Sequence, residues 1–320
     1  MSGASRAAFL DFATMGDGVD DAPLRALVAH FERFDATRDD ELLSRCDGID
    51  AVFTNKCRFD AATFEALPTL KFIGLTATGS DNIDLDAARA HNVAVTNITA
   101  YCTQSVVQHV FATLLSLTHK LPEYGASIAN ADWQRHALPT MLNFPIRELS
   151  GLTFGIIGYG ELGKGVANVA EAFGMRVLVA SRIGAAPSDG RVSLETVLAE
   201  SDVISLHCPL NEITRHLINS ERLKLMKSDA ILINTARGGL VDGDALARAL
   251  REKQLGGAAI DVLDQEPPPE GHPLLDDDIP NLMVTPHIAW AAIEARQRAI
   301  EQTAQHFRAF LNGERSNRID

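Results

Sequence analysis

Short apolar runs alternate with helix-like patterns along almost the whole chain. In the first hundred residues, three of these runs have the length and boundaries of buried strands: 51–54, 72–75 and 93–96. Residues 60–67 and 84–91, between them, have the apolar spacing of helices. This alternation is typical of parallel α/β layers. It predicts an α/β domain over residues 1–99.

A second and stronger α/β series begins at Leu152. Its six predicted strands cover residues 153–157, 176–180, 202–206, 230–234, 258–262 and 282–285. The predicted helices cover 161–173, 193–199, 220–225 and 243–253. Six strands with crossover helices are what a doubly wound, Rossmann-type domain requires. We assign residues 100–288 to this domain. A helix over 103–121, stopped by Pro122, leads into it, and a last helix over 291–311 returns, within residues 289–320, to the first domain.

Charge and cysteine content exclude several classes of protein. Lys and Arg total 29 against 42 Asp and Glu, a net charge of −13, which argues against a general nucleic-acid or anionic-membrane binder. The four cysteines, Cys46, Cys57, Cys102 and Cys208, have no zinc-like spacing, so we expect reduced thiols and no metal. The first residues lack a secretory signal, and no apolar run reaches the ~20 residues of a membrane span. We expect a cytoplasmic protein.

The strongest local motif is Gly158-Tyr-Gly160-Glu161-Leu162-Gly163, which matches G-x-G-x-x-G. Alone the pattern is weak, but here it follows a predicted strand and opens a predicted helix, as in dinucleotide-binding units. Gly158 would permit the tight turn, Gly160 would let pyrophosphate approach the backbone, and Gly163 would let the helix pack closely. The helix N-terminus would then face the phosphates.

The end of the next strand departs from the NAD pattern. About 20 residues after the glycines an NAD-binding unit carries Asp or Glu, which bonds the ribose hydroxyls. This chain has Ser181-Arg182 instead. A hydroxyl and a guanidinium can bind a 2′-phosphate, which a carboxylate would repel. The sequence thus favours NADP(H), with NAD(H) and a merely solvated Arg182 as the alternatives.

Chemically active side chains follow three later strands. Arg237 comes after the fourth strand, Asp261 and Glu266 after the fifth, and His287 after the sixth. Because ligands of open α/β sheets bind outside the carboxyl ends of the strands, all of these can reach one crevice. Alone, Arg237 would also fit a surface ion pair and His287 a packed strand-end histidine.

In order and spacing these segments resemble the D-isomer-specific 2-hydroxyacid dehydrogenases, and the resemblance covers essentially the whole chain. Segments 77–79, 95–98, 108–109 and 287–290 are most similar to the glycerate dehydrogenase (hydroxypyruvate reductase) branch. The resemblance implies a Rossmann-type cofactor domain, a flavodoxin-like substrate domain and an active site in the cleft between them. It also implies a homodimer formed through residues 103–145.

The resemblance assigns a role to each candidate residue. Arg237 would hold the substrate carboxylate, His287 would exchange a proton with the 2-oxygen, and Glu266 would orient the ring and favour its protonated form. Thr78 and Gly79 would offer backbone N–H groups to the carboxylate. Asp261 would contact the nicotinamide end of the cofactor, with Thr235 and Ala236 along its path. Trp290 would either wall the substrate pocket or be a buried interdomain tryptophan.

The predicted reaction is reduction of hydroxypyruvate or glyoxylate to the D-2-hydroxy acid with NADPH. Formate, phosphite, D-lactate and 3-phosphoglycerate dehydrogenases have the same scaffold and remain alternatives, as does a dinucleotide-sensing corepressor from another class of protein.

Overall fold

The computed structural model describes residues 6–187 and 189–320. The chain divides into two compact units, Met1–Cys102 with Ala291–Asp320, and Thr103–Trp290. The boundaries predicted from the sequence lie two or three residues away, at 99/100 and 288/289. No helix among the described residues is long and apolar enough to cross a membrane.

The first unit contains a parallel five-stranded sheet. Its strands are β1 (Arg6–Phe9), β2 (His30–Arg33), β3 (Ala51–Thr54), β4 (Phe72–Leu75) and β5 (Ala94–Thr96), and its helices are α1 (Ala22–Arg25), α2 (Asp39–Cys46), α3 (Ala61–Ala66), α4 (Leu85–Ala90) and α11 (Ile293–Leu311). The strand order is β2-β1-β3-β4-β5. This is the flavodoxin-like order, as predicted.

The C-terminal helix α11 is held to this sheet by aromatic packing. The Phe307 ring, fully buried, lies 5.2 Å from the Phe53 ring on β3 and 4.9 Å from the Phe72 ring on β4. Sequence patterning does not reveal β1 and β2. The pattern misses β2 because β2 is an edge strand, mostly exposed, whose sequence His-Phe-Glu-Arg has no apolar run.

The second unit contains a parallel six-stranded sheet. Its strands are β6 (Thr153–Ile157), β7 (Arg176–Val179), β8 (Val203–Leu206), β9 (Ile231–Asn234), β10 (Gly257–Ile260) and β11 (Leu282–Val284), and its helices are α5 (Thr103–His119), α6 (Leu121–Ala129), α7 (Glu161–Ala172), α8 (Leu194–Glu200), α9 (Ser220–Leu223) and α10 (Gly243–Arg251). All six strands are the ones predicted. Asp242 and Ser193 cap α10 and α8 by accepting backbone N–H groups, which explains where those helices begin.

The strand order β11-β10-β9-β8-β6-β7 contains one reversal. After β7 the chain crosses to the other side of β6 and continues with β8. Beyond β7, Val192 forms a single parallel bridge with Ala180, so a further strand of the Rossmann order is reduced to one residue. Ligands of doubly wound sheets bind where the order reverses, at the carboxyl ends of the strands. The topology therefore predicts a ligand site at the carboxyl end of β6.

The first long helix ends close to the predicted position, but the prediction that Pro122 stops it was wrong. Helix α5 ends at His119, and Lys120 follows with a φ of 54°, in the left-handed region. Pro122 lies in the first turn of α6, where the missing N–H costs nothing because it would have had no helical acceptor. The backbone turn at Lys120 separates the two helices.

Candidate active site

The glycine loop after β6 has the steric properties that a dinucleotide site needs. Gly158 has a φ of 100°, and a Cβ there would lie 2.4 Å from the backbone of His207 and Cys208. A Cβ on Gly163 would lie 2.1 Å from the Gly158 carbonyl oxygen. At Gly160 a Cβ would meet no atom within 4 Å. Two glycines are thus required by close packing, and the third leaves open space at the N-terminus of α7, where the sequence predicts a pyrophosphate.

Glu161, the first residue of α7, could repel a phosphate placed there. Its carboxylate instead accepts a hydrogen bond from the Thr103 hydroxyl, at the start of α5. Leu162 is half-buried beside it. The bond to Thr103 gives the Glu161 carboxylate a fixed partner within the second unit.

The end of β7 carries the predicted serine and arginine in different environments. Ser181 is 7% exposed, and its hydroxyl has no hydrogen-bond partner among the described residues. Arg182 is exposed. A buried hydroxyl without a partner is uncommon, and in native proteins it usually has a reason such as a bound ligand.

Arg237 follows β9 on a turn built by Asn234. The Asn234 amide is fully buried; its Oδ1 accepts the Ala236 N–H at 3.0 Å, and its Nδ2 donates to the Arg237 carbonyl at 2.9 Å. These bonds hold residues 235–237 against the strand end. The Arg237 guanidinium, half-buried, donates one bond to the Ala236 carbonyl at 2.9 Å. The Thr235 hydroxyl is buried and has no partner in the described part of the chain.

Gly238 lets this turn pack against the loop that carries Glu266. A Cβ at Gly238 would lie 1.9 Å from the carbonyl carbon of Leu263 and 2.3 Å from the Asp264 nitrogen. No L side chain fits there without moving the backbone. The Arg237 turn and the Glu266 loop are therefore in direct backbone contact.

Glu266 and His287 form a close pair. Nδ1 of His287 donates to Oε2 of Glu266 at 2.6 Å, and Oε1 of Glu266 accepts the Leu263 N–H at 2.9 Å. The carboxylate is thus fixed by its own loop and fixes the ring in turn. Both side chains are about one-third exposed. Because Nδ1 is engaged, the ring nitrogen that remains for exchanging a proton is Nε2.

Asp261 holds the backbone on which His287 sits. Its carboxylate, 2% exposed, accepts the N–H groups of Ile288 at 2.9 Å and Ala289 at 2.8 Å, and its carbonyl accepts the His287 N–H at 2.8 Å. His287 has a φ of 56°, which is costly for a residue other than glycine and persists only where surrounding bonds impose it. The structure shows Asp261 positioning His287; its contact with nicotinamide stays a prediction.

Two further side chains brace the same segment. The Thr285 hydroxyl donates to Asp261 at 2.5 Å and so accepts from Nε2 of His109, 3.2 Å away on α5. The Trp290 indole N–H donates to the His287 carbonyl at 2.9 Å. Trp290 therefore has a structural bond within the second unit, and its role as a pocket wall stays a prediction.

Thr78 and Gly79 lie in the first unit, after β4. The Thr78 hydroxyl donates to the Ile98 carbonyl at 2.8 Å, and the Asn97 amide donates to the Thr78 carbonyl at 2.7 Å. The turn is therefore tied to the segment that follows β5. The assignment of its N–H groups to a substrate carboxylate stays a prediction.

Sequence reasoning missed Asn234 and Gly238 as parts of the site. Both lie within three residues of Arg237 in sequence, and the available signal was their residue types. An asparagine as the last residue of an apolar strand indicates a turn, and a glycine directly after an arginine indicates close backbone approach. Their partners in space, above all the 263–264 backbone, have no local signal.

Comparison with known proteins identifies the class. The family described as D-isomer specific 2-hydroxyacid dehydrogenase, NAD binding domain, matches residues 111–289, more than half of the chain. The chain is 44% identical over 281 residues to a glycerate dehydrogenase of Methylorubrum extorquens, covering 88% of each protein. It belongs to the D-isomer-specific 2-hydroxyacid dehydrogenase family and is an oxidoreductase.

Two other relatives extend the comparison. A hydroxypyruvate reductase of Blautia hydrogenotrophica is 34% identical over 91% of each chain. A solved acyclic imino acid reductase in complex with NADPH and D-Arg superposes with a TM-score of 0.85 at 26% identity, covering 98% of this chain and 100% of the other. The resemblance inferred from the motifs, including the glycerate dehydrogenase branch, is confirmed.

Proposed function

We propose that the protein reduces a small 2-keto acid, hydroxypyruvate or glyoxylate, to the D-2-hydroxy acid with NADPH. The observation that carries the proposal is the His287–Glu266 pair at 2.6 Å, on a loop whose backbone also contacts the Arg237 turn. A histidine for proton transfer and a guanidinium for the carboxylate, on strand-end segments of one sheet, are the set that keto-acid reduction requires. The relatives named glycerate dehydrogenase and hydroxypyruvate reductase support the substrate class.

His287 supplies the proton in this proposal. Glu266 keeps Nδ1 engaged and stabilises positive charge on the ring, so that Nε2–H can protonate the 2-oxygen as it gains charge. In the oxidative direction the same nitrogen removes that proton. When bound, NADPH would supply the hydride for this reduction.

Arg237 supplies the anchor for the substrate carboxylate. Its planar fork can give two parallel hydrogen bonds to a carboxylate, a geometry that lysine lacks. The buried Asn234 amide holds the turn, so the guanidinium starts from a defined backbone position.

The cofactor would be held by the loop from Gly158 to Gly163 and by the end of β7. Open space at Gly160 accommodates the pyrophosphate, and the unpartnered Ser181 hydroxyl with the exposed Arg182 fits a 2′-phosphate. NADP(H) is therefore our proposed cofactor, with NAD(H) as the weaker one. The NADPH-bound structural relative supports a nicotinamide dinucleotide as the cofactor, and the residues at the end of β7 are the ground for preferring NADP(H).

A homodimer is the proposed assembly. Exposed large apolar side chains concentrate in residues 121–146: Leu121, Ile128, Trp133, Leu138, Leu142 and Ile146, each more than half exposed. Apolar patches of this kind mark protein interfaces. Sedimentation velocity of the purified protein measures whether the sedimenting species is a dimer.

A panel of 2-keto acids assayed with NADPH and NADH tests the function. We expect the highest kcat/KM with hydroxypyruvate or glyoxylate and NADPH. Arg237→Lys keeps the charge but loses the fork, and should lower kcat/KM about 30- to 100-fold, the equivalent of ~2–3 kcal/mol, with dinucleotide binding unchanged. Preference for a bulky or phosphorylated keto acid would reject the substrate assignment. Equal losses of substrate turnover and dinucleotide affinity in Arg237→Lys would make this residue structural.

A further inference from the structure

A second arginine lies near the end of β7 and has no place in the site described so far. The guanidinium of Arg191 lies over the Tyr159 ring, 5.9 Å from its centroid. Tyr159 belongs to the glycine loop, between Gly158 and Gly160. The pair therefore connects the loop after β6 to the segment that returns from β7.

The backbone brings Arg191 back to the end of β7. The next residue, Val192, accepts the Ser181 N–H at 2.8 Å and donates to the Val179 carbonyl at 3.0 Å. Ser181 and Arg191 are thus ten residues apart in sequence but lie on adjacent backbone segments. The β6–β7 register pairs Ile156 with Val179, so the glycine loop after β6 lies at the same end of the sheet as the end of β7.

The charged residues of the segment from 181 to 192 are mostly positive. Arg182 and Arg191 form no ion pair with any residue that the structure describes, and Asp189 is the one described acid from 181 to 192. The buried Ser181 hydroxyl lacks a partner in the same part of the structure. Two guanidinium groups and an unsatisfied hydroxyl match a dianionic ligand better than they match a neutral ribose.

The Tyr159 ring gives Arg191 a preferred position. A guanidinium over an aromatic face is weakly attracted to it, which restricts the flexible side chain before any ligand arrives. Restricting the side chain in advance lowers the entropy lost on binding.

We propose that Arg191 is a second specificity-determining residue for NADPH, which binds the 2′-phosphate together with Ser181 and Arg182, and that Tyr159 is its positioning residue. This inference rests on the proposed cofactor. It adds a residue that no strand-end motif contains, since Arg191 lies nine residues beyond Arg182.

Calorimetric titration with NADP⁺ and NAD⁺, which differ only in the 2′-phosphate, tests the inference without turnover. Arg191→Ala should weaken NADP⁺ binding about tenfold, the usual scale for a charge-assisted hydrogen bond, and leave NAD⁺ binding within about twofold. Arg248→Ala is the matched control, because it removes one positive charge from the exposed face of α10 in the same unit. It should change neither affinity.

Two tyrosine variants test the positioning role. Tyr159→Phe keeps the ring and should keep the NADP⁺/NAD⁺ affinity ratio, whereas Tyr159→Leu should lower it about two- to threefold in wild type and not at all in Arg191→Ala. Equal loss for both dinucleotides in Arg191→Ala, or an unchanged ratio, would overturn the inference. A wild-type protein that binds NAD⁺ as tightly as NADP⁺ would instead overturn the proposed cofactor.

Discussion

Most polar side chains at the ends of β9, β10 and β11 form hydrogen bonds within the second unit, Thr235 being an exception, whereas the Ser181 hydroxyl at the end of β7 forms none with the described residues. Asn234, Asp261 and Glu266 each make at least two hydrogen bonds within the second unit. Ser181, by contrast, is buried with an unpartnered hydroxyl, and Arg182 is exposed. The two regions lie at the carboxyl ends of strands in one sheet. They differ in how many of their hydrogen-bonding groups are already paired within the protein.

Under the proposed function, this difference separates two roles. Groups that stabilise developing charge are most effective when held in place before the reaction, since no reorganisation is then needed. Groups that select a cofactor need capacity left over for the ligand. We therefore expect substitutions at the ends of β9–β11 to affect kcat and stability, and substitutions at β7 to affect cofactor choice alone.

The largest effect is expected from His287→Ala. Loss of the acid–base group should lower kcat by about 10²–10⁴-fold while dinucleotide affinity barely changes. His30→Ala, which removes an exposed histidine from edge strand β2, is the control and should leave kcat unaltered. Steady-state kinetics and dinucleotide titration measure both quantities. Near-normal turnover in His287→Ala would remove this residue from the mechanism.

We expect Ser181 and Arg182, at the end of β7, to determine the preference for NADPH over NADH. Ser181→Asp combined with Arg182→Ala introduces repulsion and removes a cation, so a wild-type preference for NADPH of roughly 10- to 100-fold should be abolished or reversed. Turnover at saturating NADH should be preserved. The measurement is the ratio of kcat/KM for NADPH to kcat/KM for NADH, in wild type and in the double variant. If the double variant loses turnover with NADH as well, the two regions are not separable as we describe them.

Substitutions of Asn234 test whether its two hydrogen bonds hold the Arg237 turn. Asn234→Asp keeps the acceptor for the Ala236 N–H and loses the donor to the Arg237 carbonyl; Asn234→Ala loses both. Unsatisfied buried groups cost ~1–3 kcal/mol, so Asn234→Ala should lose stability and about tenfold in kcat/KM; Asn234→Asp should be the less stable variant at neutral pH, because its buried carboxylate would lie against the Arg237 carbonyl oxygen. Denaturant unfolding and keto-acid kinetics test the order. Equal stability and activity in both variants would mean that these bonds do not hold Arg237.

The smallest effect concerns pH and His207, at the end of β8 behind Gly158. Burial lowers the pKa of His207 to about 4. Between this value and the ordinary ~6.5, the unfolded chain binds a proton that the native state does not, so stability rises with pH across this window and is lost as pH falls through it.

His207→Asn should remove this pH dependence, about 2 kcal/mol between pH 7.5 and pH 5, and so flatten the difference in unfolding free energy between those two pH values. Denaturant unfolding of both proteins at the two pH values measures it. An identical pH dependence in wild type and variant would show that His207 titrates normally.

Much of the site was predictable because its parts are local in sequence. Apolar runs identify all six strands of the second sheet, and the glycine fingerprint and strand-end residues identify the edge. Residues without a local pattern were missed. The polar edge strand β2 is one case, and Asn234, whose partners can be named only once the turn is formed, is another.

The sequence by itself determined the family and the order of strands and helices along the chain, and it predicts the candidate set Arg237, Glu266 and His287. Residue types and their spacing carry that information, because strand and helix periodicity and side-chain chemistry are local properties. Only the tertiary structure decided which groups meet: that Gly238 packs on the 263–264 backbone, that Asp261 holds the His287 loop, and that Arg191 lies over Tyr159. Contacts between segments distant in sequence depend on how the chain packs in three dimensions, which no single segment encodes.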